Sequence, residues 1–93
     1  MKKVVLYTMK GCPHCEKMRD ILIKESIAFI DRDIHKYEKE YDKFVEATGN
    51  DFIPAFLLFE VKNDNAINVE LLAPDRDFND INEGVSKVKK YLD

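Results

Sequence analysis

The chain has 93 residues, 45% of them hydrophobic, and a formal net charge of −3. That length supports one core and a single domain over residues 1–93, and the apolar content excludes a disordered chain. The negative balance excludes nucleic acid as the principal partner, since phosphate binding needs a positive field; no stretch reaches the length of a membrane span, so no membrane partner is expected.

The charge is unevenly placed: residues 1–43 carry ten Lys/Arg and eight Asp/Glu, and residues 44–93 carry five and ten. The more basic half also holds both cysteines, Cys12 and Cys15. Most of these charges read as solvated surface, but a basic surround favours thiolate and attracts anionic substrates. The apolar run near the N-terminus stops at Thr8 and Lys10 follows, which is too short for an export signal, so a cytoplasmic location is expected.

In chain order, residues 4–8 form a continuous apolar run rich in β-formers, as in a buried central strand. Gly11 ends the run, and Pro13 sits where a first helical residue loses nothing by lacking an N–H. Cys15, Met18 and Leu22 recur at helical spacing, with Ile21 beside them, which predicts a helix over 13–24. Ile27, Phe29, Ile30 and Ile34 predict a strand within 27–34, ending near Asp33. Tyr37, Tyr41, Phe44, Val45 and Thr48 then predict a second helix, with Gly49 as its C-terminal cap.

Residues 55–60 are apolar on both faces, a second buried strand. The Lys62-Asn63-Asp64-Asn65 segment is turn chemistry, and Ile67, Val69 and Leu71 then alternate with polar residues in a half-buried edge strand, so a hairpin is expected. Residues 74–77 form a loop with capping residues, and Phe78, Ile81, Val85, Val88 and Leu92 mark the stripe of a last helix. The order is βαβαββα, and its first unit is a parallel βαβ crossover.

The chemistry concentrates at Cys12-Pro13-His14-Cys15, on the junction between the first strand and first helix. A bond between cysteines three apart closes a very small loop, so its value is chemical rather than structural. The first helical turn offers unpaired N–H groups and the positive end of the dipole, which favour a thiolate on Cys12. Lys10 adds a positive charge nearby. Cys15, one turn further in, is expected to be more buried and harder to ionise. Cys12 is therefore the attacking thiol and Cys15 the resolving one. Pro13 stiffens the turn, and a protonated His14 would stabilise the reduced pair. His35 sits at a strand–helix connection, and nothing ties it to the site. Zinc is disfavoured, because the chain has no further cysteine and His14 is poorly placed to chelate between the pair. A second marker is Ile53-Pro54, just ahead of the third strand.

Taken together, Lys10, the Cys-Pro-His-Cys motif, Ile53-Pro54 and the element order resemble the glutaredoxin family over nearly the whole chain. The resemblance implies an α/β, thioredoxin-like fold: a four-stranded mixed sheet flanked by three helices. It implies a monomeric thiol–disulfide oxidoreductase that reduces protein disulfides or glutathione mixed disulfides. No bound cofactor is implied; glutathione is the reducing co-substrate, and ribonucleotide reductase is one protein partner the family suggests. By the same resemblance Pro54 is cis and faces the cysteines, Ile53 pairs its backbone with substrate, and Lys10, Cys12 and His14 line the glutathione site.

Two departures stand out. The family usually carries tyrosine where His14 stands; Cys-Pro-His-Cys is similar to strongly oxidising thiol oxidases, and implies a more oxidising pair. The family also has a Gly-Gly-acidic loop before the last helix, whereas this chain has Ala73-Pro74-Asp75-Arg76-Asp77. There Arg76 is the candidate to hold a carboxylate. Asp77 is the candidate to hold an amino group or, as its residue type favours, to cap the last helix. The alternatives are recycling by thioredoxin reductase rather than glutathione, or a Cys-x-x-Cys protein that binds Cu(I) or zinc.

Overall fold

The computed structural model describes residues 1–93, in the order β1 (Lys2–Thr8), α1 (Pro13–Lys24), β2 (Ile30–Asp33), α2 (Glu38–Thr48), β3 (Ala55–Lys62), β4 (Asn65–Leu72) and α3 (Ile81–Leu92). The sheet runs β2-β1-β3-β4. β1 pairs with β2 in parallel, and with β3 antiparallel, while β3 and β4 form an antiparallel hairpin. The expected βαβαββα fold is the one observed: a four-stranded mixed sheet with three helices. No helix is long and apolar enough to cross a membrane.

Alternation along the central strands sorts the core into two layers. Val4 and Leu6 of β1 face one side with Phe56 and Leu58, against Met18 and Leu22 of α1 and Val85 and Val88 of α3. Val5 and Tyr7 face the other side, against Tyr41 and Phe44 of α2. Both faces of β1 and β3 are covered, which is why those segments read as unbroken apolar runs.

The second strand is shorter than expected. Ser26 takes a left-handed φ of 57°, and the Ile27 amide turns back to the Leu22 carbonyl at 2.9 Å. This is the closing turn of α1, so Ile27 is buried as part of that cap, and pairing starts only at Ile30. Gly49 ends α2 in the left-handed conformation, as expected. The hairpin turns through Asn63 and Asp64, both at positive φ, the geometry of a tight two-residue turn.

The last helix begins later than expected. Asp80, not Asp77, is its N-cap, and the Asp80 side chain accepts from the Glu83 amide at 2.8 Å. Phe78 lies outside the helix, where the Pro74–Phe78 bridge folds it beneath Gly84. A β-carbon at Gly84 would stand 3.1 Å from the Phe78 ring, so the absent side chain makes room for that ring.

Candidate active site

β1 and β3 run antiparallel, with Tyr7 opposite Ala55, so the end of β1 and the start of β3 meet at one end of the sheet's two central strands. The cysteine turn leaves from the first, and Ile53-Pro54 arrives at the second. The Ile53–Pro54 peptide bond is cis. Gly11, at φ 79°, permits the turn in which the Cys12 amide donates to the Met9 carbonyl at 3.2 Å.

Cys12 is the N-cap of α1, with Pro13 following it in the first turn. The Cys15 amide donates to the Cys12 sulfur at 3.2 Å, the position a serine or aspartate oxygen would fill in an ordinary cap. Both cysteines are unbonded thiols here. Cys12 retains 8% of its surface, and Cys15 none. The Cys15 thiol is pushed up to about 12, first by burial, then by its hydrogen bond to Cys12, and it is lowered in part by the Met9 backbone and the charge of Arg19. No three His, Cys, Asp or Glu side chains converge to make a metal centre.

Beside this turn lies an open groove of ≈ 450 Å³. His14 and Lys17 of α1 form one wall, Ile53, Pro54 and Phe78 contribute its apolar surface, and Asn79, Asp80 and Asn82 form the other. His14 and Lys17 are exposed, and Pro54 is buried. Lys10 is exposed on the turn two residues before Cys12.

Of the substrate-site residues read from the sequence, His14, Ile53 and Pro54 line this groove, and Lys10, Arg76 and Asp77 do not. Arg76 and Asp77 line a separate cavity with Glu70, Lys87 and Tyr91. The Asp77 carboxylate accepts from the Ala73 amide at 2.8 Å and from Arg76 at 2.9 Å. Both bonds use one oxygen, Oδ2, and help close the loop before α3; the helix cap expected of Asp77 is supplied instead by Asp80.

Sequence reasoning missed Lys17 and the Asn79–Asn82 wall. Lys17 follows His14 by three residues on α1, a spacing that places both on one face. Asp80 and Glu83 stand three apart ahead of the last apolar stripe, the spacing of a capping box. Glu83 does reach back, accepting from the Asn79 amide at 2.6 Å.

Comparison with known proteins agrees with this architecture. A family model described as glutaredoxin matches residues 4–58, which carry the cysteine turn, the Ile53-Pro54 bond and the start of β3. A glutaredoxin from Archaeoglobus fulgidus superimposes with a TM-score of 0.52 at 25% identity, over 75% of this chain and 77% of that one. The thioredoxin-like protein BC3987 superimposes with a TM-score of 0.59 at 17% identity, over 95% and 97% of the two chains. A glutaredoxin from Brucella melitensis gives 0.50 at 15% identity, over 95% of this chain and 79% of that one. The last two likenesses concern the fold alone. A search of curated proteins by sequence gave no match.

Proposed function

The chain belongs to the glutaredoxin family, and from that premise we propose that it is a dithiol oxidoreductase working by thiol–disulfide exchange through Cys12 and Cys15. The observation that carries this reading is the asymmetry of the pair. The Cys12 sulfur caps a helix and accepts an amide hydrogen, while Cys15 is fully buried and holds its proton.

In the forward direction the Cys12 thiolate attacks one sulfur of a substrate disulfide. A bond forms between Cys12 and that sulfur, and the other sulfur leaves as a thiolate that takes up a proton. Cys15 then loses its proton and attacks the Cys12 sulfur. The Cys12–Cys15 disulfide forms, the second substrate sulfur departs with a proton, and two electrons have passed from the protein to its substrate. Lys10, Pro13 and His14 act around this exchange as modulators. The Cys15 amide and the helix end both stabilise the Cys12 thiolate, and a stabilised reduced form makes the pair more oxidising.

Glutathione is the proposed reductant, and disulfide-bearing proteins, with ribonucleotide reductase among them by family resemblance, are the proposed electron acceptors. The groove bounded by His14, Lys17, Ile53, Pro54 and the Asn79–Asn82 wall is where a substrate backbone would lie, with Ile53 offering its main chain. One observation favours a second reading, in which a thioredoxin reductase recycles the protein. Pro74, which has no N–H to donate, lines the groove, and Arg76 and Asp77 lie outside it.

The two readings separate in a coupled assay. Oxidised protein is given NADPH with either glutathione and glutathione reductase or thioredoxin reductase alone. Rapid NADPH consumption in the first system is expected. Reduction in the second system only would replace glutathione by the reductase.

A further inference from the structure

We propose that Arg19, fixed in place by Asp31 and Thr8, is a positioning residue for the resolving step, readying Cys15 to give up its proton; this inference rests on the dithiol exchange proposed above. Arg19 follows Cys15 by four residues in α1, so the two side chains lie over one another on the same face of the helix. An arginine at a surface position ordinarily samples many rotamers. This one is tied down: its Nε donates to the Asp31 carboxylate at 2.5 Å. The other Asp31 oxygen accepts from the Thr8 hydroxyl at 2.7 Å. Thr8 is the one buried polar side chain of the protein, at 1% exposure, and it ends the strand from which the cysteine turn departs. β1 and β2 pair in parallel through this stretch, with Leu6 opposite Asp31 and Thr8 opposite Asp33. The Arg19 cation, one helical turn from Cys15, is thereby tied through Asp31 to the end of the central strand β1.

The groups bearing on the Cys15 charge come from each element around it. Cys12 and Arg19 act from its own helix and the Met9 backbone acts from the turn after β1, while the Tyr41 phenol of α2 is itself raised in part by the charge of Cys15. Asp31 of β2 and Glu16 of α1 bear on it through Arg19. In the resting dithiol, burial and the Cys12 sulfur both keep the proton on Cys15. Once Cys12 is consumed in a mixed disulfide, its charge and its hydrogen bond are gone. Arg19 is then the charged group that favours the Cys15 thiolate, alongside the Met9 backbone. In this step the Cys15 S–H gives its proton to solvent, from which a basic leaving thiolate takes one up; the Cys15–Cys12 bond forms, and the bond from Cys12 to substrate sulfur breaks.

Rapid mixing of the reduced protein with one equivalent of a symmetrical aromatic disulfide resolves the two steps. Attack by Cys12 liberates a first coloured thiolate, and resolution by Cys15 liberates the second. Arg19→Gln is expected to slow the second phase about tenfold near neutral pH and to move its pH profile about one unit to the alkaline side, one unit of ionisation being tenfold. Arg19→Lys is expected to keep most of the parent rate. Arg19→Met, which keeps the apolar stem, should match Arg19→Gln and serves if the glutamine variant folds poorly. Lys24→Gln, a cation removed from the far end of the same helix, should leave both phases unchanged. A parent-like second phase in Arg19→Gln and Arg19→Met, or an Arg19→Lys protein as slow as either, overturns the proposal. A Cys15→Ser protein that liberates no first thiolate overturns the exchange mechanism itself, and this inference with it.

Discussion

The two walls of the groove are assembled from different kinds of sequence information. On the α1 side, each feature is set by neighbours a few residues away. Gly11 supplies a positive φ, Pro13 opens the helix, and Cys12 occupies the cap with its sulfur in place of an oxygen. On the α3 side, the geometry depends on residues distant in sequence or packed from another layer. Phe78 is apolar at a spacing that extends the stripe of the last helix, yet it lies in the preceding loop because Gly84 leaves space for its ring. Local chemistry is sufficient for the first wall, and packing decides the second.

This comparison can be broken by altering the packed wall. Phe78 is 5% exposed within the core that joins α1, α3 and the sheet. Phe78→Ala should cost about 3–5 kcal/mol of stability in urea denaturation, as removal of a buried aromatic usually does. A loss below about 1 kcal/mol would mean that the loop, rather than the ring, holds the α3 wall.

Asp80→Ala should cost about 1 kcal/mol and weaken hydrogen-exchange protection in the first turn of α3, because the Glu83 amide loses its acceptor. Asp77→Ala should cost a similar or smaller amount through the Ala73 amide, without touching the protection of that helix turn. Reversal of the two protection patterns would restore Asp77 as the cap.

The sequence alone made the element order, both buried strands, the Gly49 cap and the place of the cysteine turn between β1 and α1 readable, because periodicity and turn chemistry act over short spans. It overextended β2, since the closing turn of α1 draws Ile27 into the core where a strand residue would also be buried. It also misplaced Asp77. An aspartate ahead of an apolar stripe reads as a cap, but α3 starts three residues later and Asp80 takes that place, while Asp77 Oδ2 accepts from the Ala73 amide and Arg76. Lys17 and the Asn79–Asn82 wall went unseen for a different reason: they belong to the groove only because α1 and α3 pack side by side over the sheet. Nor does any sequence period announce the tether from Thr8 through Asp31 to Arg19, which joins two strands and a helix.

Intact-mass analysis after brief exposure to glutathione disulfide tests the division of labour between the cysteines most directly. Cys15→Ser should accumulate one glutathione adduct on Cys12, and Cys12→Ser should remain free of adduct, because Cys15 has no exposed surface and its burial favours the protonated thiol. The protein with both cysteines should pass to the Cys12–Cys15 disulfide. An adduct on Cys15 in the Cys12→Ser protein, with none on Cys12 in the Cys15→Ser protein, would contradict the assignment.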